Sequence, residues 1–230
     1  MTKNPAQIAH RLHATGVIPV VALSDVDSGL RLMDVLATEG LPAIEVTFRT
    51  PVAAEAIAAL RRRFPDVLIA AGTVLSADDA RRAAAAGADV GVAPGLRPAV
   101  LDAAAQEGLP FVPGIATASE AGAALERGLT LVKLFPAEVV GGVALIDALA
   151  GPLPQLSFMP TGGIREERLG DYLSRRQVAA CGGTWIAPSS LLDSADFAEI
   201  SRRARSAVAA VRAARPAPTT SPLTQTGAAR

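Results

Sequence analysis

A single cysteine, Cys181, stands among the 230 residues of this chain. No internal disulfide framework can form, and a reducing, cytoplasmic setting is expected. Charge of one sign is also missing: Lys plus Arg and Asp plus Glu each total 22. Such a chain carries no net attraction for nucleic acid or an anionic membrane surface. No apolar run reaches the ~18 residues of a spanning helix, and the opening MTKNPAQIAHRLHATG lacks the apolar core of a signal peptide. Histidine stops at His10 and His13. Nothing later can supply imidazole, which excludes a zinc site or a Ser-His-Asp triad on the main fold. Lysine is nearly absent too: the basic residues are 20 arginines and two lysines, Lys3 and Lys133. One lysine is therefore left in the body of the chain, inside an apolar run.

What is present is regular. Half of the residues are hydrophobic, enough for one large domain or two small ones at ~100–200 residues each. Apolar runs at 16–23, 43–48, 67–72, 90–95, 110–114, 130–136, 157–163 and 177–183 make eight strand candidates, with starts 20 to 26 residues apart. A βα unit needs about that much chain, and strands without polar alternation suit a parallel sheet buried on both faces. No G-x-G-x-x-G follows the first run, so a closed (β/α)₈ TIM barrel is expected over a doubly wound sheet. An additional N-terminal helix at 4–15 precedes it and is placed to plug the barrel's bottom. Helix signals fill the gaps: a Ser76 with Asp79 start that stops at Gly87, a Thr117 with Glu120 capping box, and Pro51 opening a helix behind Thr50. Arg61, Arg62 and Arg63 read as a solvated helix end. The domain is expected to span 1–214, with RPAPTTSPLTQTGAAR at 215–230 a disordered tail.

In a barrel, chemistry gathers at the C-terminal strand ends. Lys133 lies there among Leu131, Val132, Leu134 and Phe135. Elsewhere the chain uses arginine for charge, and only a lysine amine attacks a carbonyl, so Lys133 reads as a Schiff-base nucleophile. Glu45, Thr47 and Arg49 alternate along one strand and share a face. Glu45 suits a general acid and base, while the planar fork of Arg49 suits a 2-oxo acid carboxylate. Thr73 adds a hydroxyl, and Pro94, Phe135 and Thr161 border the pocket. The glycine pairs 162–163 and 182–183, followed by Thr184, fall after the seventh and eighth strands. Barrels commonly bind phosphate there through backbone N–H groups, which marks Gly162, Gly163, Gly183 and Thr184. Cys181 and Trp185 read as packing.

The segments GVIPV (16–20), IEVTFRT (44–50), AGTV (71–74), FVPGIATASE (111–120), VKLFPAE (132–138), PTGGI (160–164) and GGTW (182–185) together resemble the 2-keto-3-deoxy-6-phosphogluconate (KDPG) and 4-hydroxy-2-oxoglutarate aldolases. The resemblance implies a small (β/α)₈ barrel, a homotrimer, and cleavage of KDPG to pyruvate and glyceraldehyde 3-phosphate; no cofactor or metal is expected. Under it, Lys133 forms the Schiff base, Glu45 moves protons, Arg49 and Thr73 hold the carboxylate, and Gly162, Gly163 and Thr184 hold the phosphate. Two other readings stand beside it: an aldolase for the galactonate-derived epimer, and a non-catalytic sugar-phosphate-binding barrel. A metal-dependent aldolase lacks histidine ligands.

Overall fold

The computed structural model describes residues 4–215. Helix α1 (Pro5–Thr15) starts where the Asn4 side chain accepts the Ala6 N–H, with proline in its first turn. Then follow β1 (Val17–Val21), α2 (Val26–Thr38), β2 (Ala43–Thr47), α3 (Ala53–Arg63), β3 (Leu68–Gly72), α4 (Ala77–Ala85), β4 (Val90–Val92) and α5 (Pro98–Gln106). The second half runs β5 (Phe111–Val112), β6 (Gly114–Ile115), α6 (Ala118–Glu126), β7 (Leu131–Leu134), α7 (Gly142–Ala150), β8 (Ser157–Phe158), α8 (Leu169–Leu173), β9 (Cys181–Gly183), α9 (Ser189–Asp193) and α10 (Phe197–Ala214).

This is an α/β fold on parallel strands. Six strands hydrogen-bond in the order β5, β4, β3, β2, β1, β9 and curl as a half-barrel, while β6, β7 and β8 form a second sheet. Pro113 alone separates β5 from β6; its missing N–H splits one expected strand into two. Likewise the run at 157–163 keeps only two ladder residues, with Pro160 beyond them, and continues through isolated parallel bridges from Phe158 to Val178 and from Thr161 to Gly182.

Period-2 alternation decides which way each side chain faces. Val17, Ile44, Val46, Ile69, Val132 and Leu134 join the larger buried cluster, against the helices. Ile18, Ala43, Leu68, Val90, Val112 and Met159 turn the other way into a smaller cluster with Ile8 and Leu12 of α1. Glu45 and Thr47 continue the Ala43 face, and Lys133 continues that of Leu131. The concave side of the strands is thus apolar where α1 packs and polar at the far end.

The Ser76–Asp79 helix start is borne out, with a reciprocal capping box. Several other local expectations need correction. At Thr117 the capping box is half built, because the Glu120 carboxylate takes the Ala116 N–H instead. Helix α3 begins at Ala53 and not at Pro51, since no side chain caps it and residues 48–52 form a turn. Arg61 is not a solvated helix end: it reaches back to Asp89 at 2.5 Å and donates to the carbonyls of Pro65, Val67 and Gly87. Arg215, the first residue of the expected tail, donates to the carbonyls of His13, Leu173, Val178 and Ala179. Residues 216–230 lie outside the described residues.

Candidate active site

Glu45 and Lys133 come from strands far apart in the chain, yet both point to the concave side. Lys133 Nζ lies 3.2 Å from Glu45 Oε1, with the two residues 5% and 0% exposed. Stability does not account for such a pair. Desolvating two charges costs several kcal/mol per ion, and an apolar pair of similar volume often serves the fold as well or better. Glu45 Oε2, moreover, is buried with no partner, a penalty on the order of 1–3 kcal/mol or more for a charged group. A nucleophilic amine beside a carboxylate with a spare oxygen is the arrangement that imine chemistry uses. The Phe135 ring centre lies 5.5 Å from Nζ and walls that side.

Gly72 stands where a side chain would collide with the Glu45 carboxylate, so glycine there is what lets the carboxylate lie against β3. The next residue, Thr73, holds φ at 57°, a left-handed backbone that is rare for a β-branched residue and costs on the order of 1–3 kcal/mol. Strain of that kind concentrates at functional sites. On the other flank Thr47 is buried, donates its hydroxyl to the Val21 carbonyl at 2.8 Å and accepts from Arg49 Nε at 3.0 Å. Arg49 is exposed, and it makes no ion pair among the described residues.

The remaining expected residues follow as neighbours around the rim. Gly114, in register with Lys133, lies against the backbone of Pro94. Gly162 abuts Pro136 and the Phe135 ring, and the Thr161 side chain rests on Gly182. The Thr161 hydroxyl is buried and without a partner, like Glu45 Oε2. Gly162 and Gly163 adopt φ of 104° and 82°, which frees their backbone for a turn that a side chain would strain. Gly183 is covered by the Trp185 ring, and Thr184 is exposed.

Sequence reasoning placed Thr47 on the right face without giving its hydroxyl a task; the i, i+2 spacing to Arg49 was the available signal. It missed the Tyr172 hydroxyl donating to Glu138 at 2.6 Å, which braces the segment beside Gly163. That pair joins residues 34 apart, and nothing local announces it.

The rest of the molecule offers less. A cavity of about 550 Å³ opens at the opposite strand ends, lined by Pro5, Ile8, Leu101, Phe111 and Leu131. It contains none of the expected site residues. Cys181 is a buried thiol whose pKa desolvation pushes up to about 12, as packing requires and reactivity does not. Among the described residues no cluster of three or more His, Cys, Asp or Glu could hold a metal ion, and no helix is long and apolar enough to cross a membrane.

The model of the "KDPG and KHG aldolase" family matches residues 8–203. The 2-dehydro-3-deoxy-phosphogluconate aldolase of Treponema pallidum is 46% identical over 193 residues, covering 84% of this chain and 92% of that protein. Its namesake from Haemophilus influenzae is 43% identical over 208 residues, covering 90% and 98%. In three dimensions the chain resembles the KDPG aldolase of Legionella pneumophila with pyruvate captured as a covalent carbinolamine, at a TM-score of 0.84 and 34% identity, covering 90% and 99%.

Proposed function

The chain belongs to the KDPG and KHG aldolase family, and from that membership we propose that it is a class I aldolase acting through a Schiff base on Lys133. Its substrate is 2-keto-3-deoxy-6-phosphogluconate, cleaved to pyruvate and glyceraldehyde 3-phosphate, with 4-hydroxy-2-oxoglutarate, cleaved to pyruvate and glyoxylate, as a second substrate. One observation carries the reading: the only described lysine lies buried against a carboxylate, on the concave side of the strands.

The roles follow from position. The Lys133 amine attacks the C2 ketone and loses water to form an imine. Glu45, through a water, takes the proton of the C4 hydroxyl while the C3–C4 bond breaks, and the electron pair moves onto the protonated imine. The aldehyde departs. Glu45 then returns a proton to C3 of the enamine, and water releases pyruvate and the free lysine. Arg49 and Thr73 hold the carboxylate, Pro94, Phe135 and Thr161 shape the middle of the pocket, and Gly162, Gly163, Gly183 and Thr184 take the phosphate. The same reading joins the two sheets into one closed eight-stranded barrel with α1 under it. The single-residue gap at Pro113 and the bridges at Phe158 and Thr161 support that closure. A cytoplasmic homotrimer belongs to this reading as well.

Borohydride trapping tests it. With pyruvate present, reduction should inactivate the protein and leave a stable adduct on the peptide containing Lys133, and a coupled assay should detect pyruvate released from KDPG. An adduct on another residue, or no adduct at all, would overturn the assignment.

A further inference from the structure

The grip on the substrate carboxylate needs a guanidinium held in one orientation, and Arg49 has little of its own to hold it. It follows β2 in a turn, its side chain is exposed, and no acidic partner lies against it among the described residues. A long side chain so placed samples many rotamers, and each ligand it binds must bear the cost of ordering it. Among the described residues, the one hydrogen bond that restrains it is Arg49 Nε to Thr47 Oγ1, 3.0 Å long.

Resting on the aldolase reading, we infer that Thr47 is the positioning residue of the carboxylate grip. Its hydroxyl is held from the other side, because its proton is committed to the Val21 carbonyl at 2.8 Å. That commitment fixes polarity. With its hydrogen turned to Val21, the Thr47 oxygen presents only lone pairs to Arg49 and selects the Nε–H as donor. The guanidinium is planar, so anchoring Nε sets the plane and leaves both terminal nitrogens free as a fork for a carboxylate. Val21 ends β1 and Thr47 ends β2, and the strands pair in register through Val21 and Val46. The relay therefore ties the orientation of an exposed arginine to two rigid, fully buried strands. An aliphatic side chain would fill the same buried space; only a hydroxyl supplies an acceptor for Arg49 and a donor for Val21 together.

The role predicts a division between binding and chemistry. Thr47→Val keeps the shape and removes the hydroxyl. The pyruvate concentration that gives half-maximal borohydride trapping, and KM for KDPG, should rise about five- to fifty-fold, with kcat within about three-fold of wild type, because losing one charge-assisted hydrogen bond and the order it imposes acts on binding. Thr47→Ser restores the hydroxyl and should recover most of the loss. In an Arg49→Ala background Thr47→Val should add less than two-fold, since the residue acts through Arg49. If Thr47→Val does not fold, Thr47→Ala against Thr47→Ser asks the same question. Unchanged half-saturation in a folded variant overturns the inference, as does a loss confined to kcat or an effect that persists in full without Arg49. Absence of any pyruvate-dependent adduct in the wild type instead refutes the aldolase reading beneath it, so the two failures are distinguishable.

Discussion

At the scale of single residues, the proposed chemistry makes its strongest demand on Glu45. It has one oxygen on Lys133 and the other free of any protein partner. A general base within reach of the reacting proton, directly or through one water, contributes typically ~10²–10⁴-fold. Glu45→Gln keeps the shape and the packing against Gly72 but cannot carry a proton. Its turnover of KDPG should fall by ~10²–10⁴-fold, while the circular dichroism spectrum is preserved and the Lys133 adduct still forms, more slowly. Turnover within a few-fold of wild type would assign the proton transfer to another group. Both residues were legible in the sequence because each is an anomaly of type: a lone lysine among arginines, and a carboxylate within an apolar run. Thr47 was less so, since a threonine in a strand is ordinary and only its two hydrogen bonds reveal what it orients.

At the scale of elements, α10 braces the loop that leaves β9. Arg203, on α10, donates to the Trp185 carbonyl at 2.8 Å and to Glu199 at 2.7 Å. Hydrogen bonds from Arg202 and then Arg203 hold the Glu199 carboxyl at about 2, against an ordinary 4.5. A folded pKa depressed in this way stabilises above the unfolded value and is lost as pH falls through the folded one. The contribution of Glu199 is thus complete above about 4.5 and disappears by about 2. Melting temperatures across that window should show wild type above Glu199→Gln at neutral pH and the two converging in acid. Partial exposure to solvent and salt screening keep the difference small. A gap that widens as pH falls would mean Glu199 is not the group responsible. Nothing local in the sequence announces this link, which spans 18 residues and depends on how helix and loop pack.

At the scale of the whole molecule, Cys181 reports on integrity. It sits in β9, between the paired strand β1 and the helices, with its thiol pKa pushed by burial from 9.0 to about 12. A thiol raised in the fold contributes stability that is complete below the unfolded value and lost as pH rises toward the folded one. Alkaline unfolding should therefore set in above about 9 partly on its account. At neutral pH a thiol reagent should label Cys181 only as fast as the molecule opens, and labelling across a denaturant series should follow the loss of circular dichroism. Labelling well before that transition would show that β9 opens on its own.

Period and punctuation are local properties, and the sequence by itself determined what depends on them. The βα alternation, the inward face of β2, the Ser76 cap and the residue types able to do imine chemistry could all be read within a few residues of where they act. Proline placed inside the fifth and seventh runs shortened the ladders there, for the same local reason. What only the tertiary structure decided is everything that depends on distance through space. Glu45 and Lys133 lie 88 residues apart in the chain and 3.2 Å apart in the fold. Arg61 looked like surface charge until Asp89, 28 residues on, came within 2.5 Å. Arg215 followed the last helix as tail until four carbonyls from three separate segments converged on it. Hydrogen bonds and ion pairs fall off within a few ångströms, so a sequence can nominate such partners, but only the packing of strands against helices brings them within reach.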